Sequence, residues 1–374
     1  MKEKMKSLGI LVVVCILGTL ILGGCSSQSS QETVSEEAPA GEVAAEDITI
    51  GISLPSKELA RCLKDEEYLT ANFDEMGYAY DVQFAQGDAN IQISQIENMI
   101  TNGVDLLIIS PWDGSSMTQI AELAHDNGIP VISYDALILN SEYVDYYIAD
   151  NLEEVGATQA RYIVASLGLE EGNGPFNLEI VAGDPADSNA PYFYNGAMNV
   201  LNPYIENGQL VVQSGQVSFA QTSTPGWDPM QAQSRMDAIL SAHYTDKHLD
   251  AVLCSNDGMA LGTISSLKSA GYGTTDTPLP VTTGQDCDIA SIKSIIAGEQ
   301  TMTVFKDIRE LAKNAAYVAD SIIKGEEPDM SEGTIFDNGV KDVPTLVVEP
   351  KPLDVTNYKE LLLDSGYYTE DQFE

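Results

Sequence analysis

From Asp47 onward, short apolar runs alternate with stretches whose apolar residues recur every third or fourth position. "ITIGISL" (48–54) is a β-rich run, and Ser56 behind it is placed to cap a helix carrying Leu59, Cys62, Leu63, Leu69, Phe73 and Met76. "YDVQFAQ" leads into a second helix with Ile93, Ile96, Met99 and Ile100 on one face. "VDLLIIS" is continuously apolar, as expected of a strand buried on both faces of a parallel sheet. A helix over 115–127, closed by Gly128, precedes the strand "IPVISYD". The pattern predicts further strands at 176–184, 209–219, 249–255, 279–285 and 301–306, with helices between them. Such alternation predicts a doubly wound α/β fold. About ten strands exceed one comfortable sheet, so they divide into two Rossmann-like lobes.

The apolar runs end in a repeated way. "LLIISPWDG", "PVISYDA", "YYIADN", "EIVAGDPADSN", "AVLCSNDG" and "VTTGQD" all pass from core residues to hydrogen-bonding side chains as a strand ends. In a doubly wound sheet the crossovers are right-handed and ligands bind outside the carboxyl ends of the strands. If the two edges face each other, one cleft collects all six stops.

The N-terminus changes the expected address. Lys2, Lys4 and Lys6 precede "LGILVVVCILGTLILGG", which reads as a signal peptide over 1–24 rather than a permanent span. Leu22-Gly23-Gly24-Cys25 resembles the bacterial lipobox, which makes Cys25 the lipidation site. Residues 25–46 are polar and aperiodic and read as a flexible tether. The expected location is extracytoplasmic, at the cell membrane through the lipid, on the periplasmic face or the outer surface. Cys62, Cys254 and Cys287 then remain, allowing one disulfide at most, and no CxxC spacing suggests a metal.

Charge narrows the partners. With 18 basic against 57 acidic residues the net charge is −39 over 374 residues, which argues against nucleic acid. The stops offer Arg61, Asp113, Asp135, Asn151, Asp187, Asn189, Asn256, Asp257, Gln285, Asp286 and Lys306, with Trp112 and Trp227. Carboxylates accept, amides do both, and Arg and Lys donate, a mixture that matches the vicinal hydroxyls of a sugar. An indole face suits the C–H side of a pyranose. Taken singly, an Asp or Asn after a strand often only caps the next helix; the set gains its meaning from convergence. The chain has no GxxxxGK[ST] loop, no GxGxxG at its first helix and no GxSxG elbow. His125, His243 and His248 fall on predicted helices or their ends. Binding without catalysis, cofactor or metal is the expectation, and a glycoside-acting carboxylate pair is the enzymatic alternative.

Longer stretches carry a resemblance. "QISQIENMITNGVDLLII", "GIPVISYDALI", "GPFNLEIVAGDPADSNAPYFYNGAMNVL", "GWDPMQAQSRMDAILSAHYTD", "GQDCDIASIKSIIAGEQTMTVFKDIRELA" and "SGYYTEDQF" resemble the bacterial periplasmic sugar-binding proteins of ABC transporters. The multiple-sugar and xylose-binding branch is the nearest. The resemblance implies the type I periplasmic binding protein fold, with two lobes joined by a three-segment hinge and an aldose such as xylose, glucose, galactose or arabinose between them. The implied lobes are 47–151 plus 307–338, and 152–306 plus 339–374. Arg61 would hydrogen-bond the sugar, with Lys57 one turn earlier. Asp135 would receive hydroxyls from the first lobe, and Asn189, Asn256 and Asp286 from the second. Trp227 would stack on the ring and Lys306 would reach in at a hinge.

The resemblance further implies a monomer that delivers sugar to an ABC permease driven by a separate ATPase. Presentation of sugar to a chemoreceptor or sensor kinase is the alternative. Two departures stand out: Cys62 replaces an aromatic residue and Ala136 replaces an Arg. Trp112, with Asp113 beside it, is the candidate for the lost wall, and the preferred sugar is expected to differ from xylose.

Overall fold

In a computed structural model, which describes residues 45–373, the alternation resolves into thirteen strands and ten α-helices. The signal peptide, Cys25 and the tether up to residue 44 lie outside the described residues, and Ala45–Asp47 form a 3-10 turn. In chain order the strands are β1 (Thr49–Leu54), β2 (Ala79–Phe84), β3 (Leu106–Ile109), β4 (Val131–Tyr134) and β5 (Tyr146–Asp150). Then come β6 (Phe176–Val181), β7 (Leu210–Val211), β8 (Ala251–Cys254), β9 (Val281–Thr282) and β10 (Met302–Phe305). The last three are β11 (Thr334–Asp337), β12 (Asp342–Val348) and β13 (Lys351–Asp354). The helices are α1 (Ala60–Met76), α2 (Ala89–Asn102), α3 (Thr118–Asp126), α4 (Leu152–Leu167) and α5 (Ala190–Glu206). They continue with α6 (Phe219–Thr222), α7 (Pro229–His243), α8 (Asp257–Ser269), α9 (Ile289–Ile296) and α10 (Ile308–Ile323).

The first lobe holds a seven-stranded sheet in the order β11-β12-β5-β4-β3-β1-β2. Its pairs are parallel except β11 with β12. One face packs Ile50, Ile52 and Leu54 against Leu69 and Phe73 of α1 and Leu311 and Ala315 of α10. The other packs Leu107 and Ile109 against Ile96, Met99 and Ile120. Burial on both faces is why these strands read as unbroken apolar runs; each fully buried side chain of this size contributes about 1.5–3 kcal/mol.

In the second lobe β7-β6-β8-β9 form a parallel sheet and β10 pairs antiparallel with β13. Amides of Thr301 and Val304 donating to Thr282 and Gly284 carbonyls join the two. Helices α4 and α5 touch through glycines: a β-carbon on Gly156 would lie 1.8 Å from the Phe193 carbonyl oxygen.

Three expectations require correction. Ser56 does not cap α1, which begins at Ala60 after Leu59; Ser56 Oγ accepts from the Glu58 amide in the loop. The strand predicted over 209–219 shrinks to Leu210–Val211, because Ser214 turns aside to donate its amide and hydroxyl to the buried Glu179 carboxylate. The lobe boundary at 338/339 is displaced. Thr345–Val348 of β12 pair in parallel with β5 and Asp342–Thr345 pair antiparallel with β11, so that stretch belongs to the first sheet and the chain leaves this lobe only at 349–350. The chain passes between lobes there, at Asn151, and at Lys306–Asp307.

Candidate functional site

Between the lobes lies a cleft of about 640 Å³, counting its mouth open to solvent. Strand ends supply most of its lining. Trp112 follows β3, Asp135 follows β4, Asn256 follows β8, Gln285 and Asp286 follow β9, and Lys306 follows β10. Arg61 enters from the first turn of α1. Asn189, ahead of α5, and Trp227, ahead of α7, complete the set. The edges of the two sheets therefore face each other, as the polar stops predict.

Four named candidates, Lys57, Asp113, Asn151 and Asp257, do not line the cleft; Asp257 is buried, accepting from the Asp288 amide and Gln300 Nε2. Lys57 is exposed, with its ammonium 4.5 Å from the centroid of Phe84. Asp113 accepts from the Ser115 and Ser116 amides and the Ser116 hydroxyl, so it serves as a local cap and borders a second, outer groove. Asn151, at the first crossing, donates to Glu349 at the third. His248 lies in the loop before β8 rather than on a helix, and no histidine lines the cleft among the described residues.

The cleft floor is an ion network spanning both lobes. Arg61 Nη2 lies 2.7 Å from Asp135 Oδ1, and Nη1 lies 3.3 Å from Asp150 Oδ2 and 3.6 Å from Asp286 Oδ1. Lys306 Nζ sits 2.8 Å from Asp286 Oδ1 and 3.7 Å from Asp150 Oδ2. Asp65, one helical turn beyond Arg61, holds Nε at 3.6 Å and receives the Tyr134 hydroxyl at 2.8 Å. Asp65 and Asp150 are the partners that sequence reasoning missed. The i,i+4 spacing from Arg61 was the available signal for Asp65, and the end of "YYIAD" was the signal for Asp150.

Burial raises the Asp135 carboxyl despite Arg61 and Lys306. Burial also acts upward on Asp286, but Lys306 and Arg61 outweigh it and hold Asp286 below the usual carboxylate range. Burial works downward on Lys306, as does Arg61, yet Asp286, Asp150 and Asp135 together keep its pKa raised. Carboxylates outnumber cations, so the cleft disfavours an anion. Arg61 Nε and Nη2, Gln285 Oε1 and Asp286 Oδ1 are buried without an aligned hydrogen-bond partner. Buried polar groups seek partners; the Arg61 and Asp286 atoms hold ion pairs, whereas Gln285 Oε1 has neither hydrogen bond nor ion pair and faces a space that holds a small molecule.

Aromatic and thin apolar walls flank this floor. The Trp227 indole donates to Asp187 Oδ2 at 3.1 Å and meets the Phe193 ring edge-on at 6.3 Å. Phe193 also faces Lys306, 5.5 Å from its centroid. From the first lobe, the Trp112 amide donates to Gln92 Oε1, and Gln92 Nε2 donates to Ser53 Oγ and the Ser110 carbonyl. Cys62 and Ala136 line the cleft as small residues; burial pushes the Cys62 thiol up, so it stays neutral. Cys62, Cys254 and Cys287 are all free and buried.

The backbone is strained at the same place. Asp135, Trp227, Asp286 and Cys287 hold positive φ of 62°, 53°, 96° and 57°. Non-glycine residues adopt this region at a cost that clusters at ligand sites. Asn256 combines two duties. Its Oδ1 caps α8 by accepting from the Met259 amide, while its side chain faces the cleft.

A family model described as periplasmic binding protein domain matches residues 50–327. The chain is 47% identical over 329 residues to the multiple sugar-binding periplasmic receptor ChvE of Rhizobium radiobacter, covering 88% of this chain and 93% of that protein. It is 35% identical over 328 residues to the D-xylose-binding periplasmic protein of Escherichia coli K12, with 88% and 93% covered. Among solved structures, an ABC transporter solute binding protein from Clostridium phytofermentans with bound β-D-glucose superposes with a TM-score of 0.84 at 46% identity. That match covers 87% of this chain and all of the other.

Proposed function

We propose that this chain, which belongs to the periplasmic binding protein family, captures a neutral aldose in the interlobe cleft and hands it to an ABC permease energised by a separate ATPase. The observation that carries the reading is the convergence of Arg61, Asp135, Asn256, Gln285, Asp286 and Lys306 from both lobes on one cleft between the Trp112 and Trp227 walls. A pyranose satisfies both halves of that arrangement, hydroxyls toward the ions and C–H faces toward the rings. Charge-assisted bonds strengthen such contacts without requiring a charged ligand. The glucose of the Clostridium phytofermentans structure and the xylose of the Escherichia coli relative make these two sugars the first to test, with glucose the expected preference given Cys62 and Ala136.

In this reading the lobes turn about the three crossing segments. Sugar meets one lobe first, and closure adds the other lobe's donors while expelling water. Lipidation of Cys25, with 26–46 as the tether, keeps the captured sugar beside its permease. Palmitate labelling of the expressed protein, lost in Cys25→Ser, tests the anchor.

A thermal-shift screen of monosaccharides against residues 45–374 tests the ligand class. A sugar at about 100 times its dissociation constant adds about 2.7 kcal/mol of stability. Stabilisation by D-glucose or D-xylose is expected. A flat response to neutral aldoses together with a response to an acid or an amine would overturn the reading.

A further inference from the structure

Two loops from opposite lobes grip each other beside the cleft. Ser188-Asn189 precedes α5 in the second lobe, and Asp135-Ala136-Leu137 follows β4 in the first. The Leu137 amide donates to Ser188 Oγ at 2.9 Å, and Asn189 Nδ2 donates to the Asp135 carbonyl at 2.8 Å. The Tyr147 hydroxyl donates to that carbonyl at 2.7 Å and lies 3.1 Å from Asn189 Oδ1. Phe336 of β11 stands edge-on to Tyr147 at 5.6 Å and to Tyr192 of α5 at 5.7 Å, so an aromatic clasp crosses the same rim. Asn189 is 2% exposed, and both ends of its amide face first-lobe atoms. Ser188, Tyr147 and Phe336 do not line the cleft.

We infer that this rim is an interlobe latch that sets how much of the ligand-free protein is closed. Apparent affinity scales with the share of molecules already competent to bind. Contacts that join lobe to lobe without touching the ligand change that share equally for every ligand. The latch therefore tunes affinity for all sugars together and chooses among none of them. The Arg61 network and the tryptophans face the ligand and carry the choosing. Ser188 and Tyr147 are positioning residues that act through closure. Asn189, which the resemblance assigns to the sugar, spends its amide on holding the Asp135 loop.

The affinity part of this inference rests on the sugar reading, whereas the closure part stands without it. The test uses Ser188→Ala and Tyr147→Phe, each of which deletes one hydroxyl and keeps the rest of the side chain. Spin labels at Thr101→Cys on α2 and Ser241→Cys on α7 report the lobe separation by pulsed dipolar spectroscopy. Both variants are expected to lose short-distance population without ligand and to recover it in saturating D-glucose. Dissociation constants for D-glucose and D-xylose should rise by a common factor of about two to ten, the value of one hydrogen bond, with their ratio unchanged. Ligand-free distances that match the unaltered protein in both variants would overturn the latch, and so would a shifted ratio. If the unaltered protein bound neither sugar, the sugar reading would fall and the ligand-free distances would still decide the latch.

Discussion

Trp227 packs its indole directly against Gly183: a β-carbon on that glycine would sit 2.1 Å from Cη2 and 2.5 Å from Cζ2 and Cζ3. The indole reaches the cleft only because Gly183, two residues past β6, has no side chain. Gly183→Ala is expected to displace the ring and weaken glucose or xylose binding by about twofold to twelvefold, from roughly 0.5–1.5 kcal/mol of lost ring contact. Titration calorimetry reads the affinity. An unchanged constant would mean that Trp227 is not a ligand wall.

Trp112 stands opposite, near enough that a β-carbon on Gly226 would lie 4.0 Å from its Cη2. Cys62 and Ala136 leave this side of the cleft thin, and Trp112 is the one aromatic ring that the described residues of this lobe bring to it. Trp112→Ala should reduce sugar affinity by about threefold to tenfold and remove part of the fluorescence change on binding. If both measurements stayed at their original values, the replacement-wall idea would be abandoned.

Arg61 faces four carboxylates at once. Removing one partner of a buried ion pair leaves uncompensated charge and costs about 3–5 kcal/mol. Arg61→Met should lower stability by that order in urea denaturation and abolish sugar binding. A variant with undiminished stability would show that the carboxylates shed their charge by taking up protons.

Titration around the cleft has a definite sign. Burial, then the charge of Asp135, pushes Asp187 up to about 7; burial also raises Asp65 to about 7 against the pull of Arg61. Both lie above the unfolded carboxyl value of about 3.9. Their stabilising contribution is therefore complete below about pH 4 and is lost as pH rises toward 7. Asp286, held low, behaves oppositely, and its contribution is lost only in strong acid. Asp187→Asn keeps an acceptor for the Trp227 indole while deleting one titration. Its melting temperature should fall less between about pH 4 and pH 7 than that of the unaltered protein. An identical decline would remove Asp187 from the account.

What the sequence disclosed and what it hid follow from range. Strand tips announce themselves locally, because an apolar run must stop somewhere, and Asp135, Asn256, Asp286 and Lys306 were legible on that basis. Phe193 was not, because "PYFYNG" offers three aromatics in one helix and only packing decides which one turns inward. Asp113 sat at a strand tip and misled, since its oxygens were already engaged by the two serines after it. Lys57 was suggested only by resemblance and faces Phe84 instead. The last lobe boundary was invisible for a different reason. Nothing local in "DVPTLVV" says which of two sheets has an open edge, and β5 provided it.

The three passages of the backbone between lobes carry a consequence for anyone dismantling the molecule. A cut at 306 strands α10, which packs on the sheet begun at Thr49, and β11 and β12, which belong to it, on the wrong fragment. A stop codon before 342 strips the first lobe of the strand beside β5 while also deleting β13 from the second. Neither half is a cassette that a gene fusion could lift out whole, so grafts between such proteins must be stitched at all three seams together.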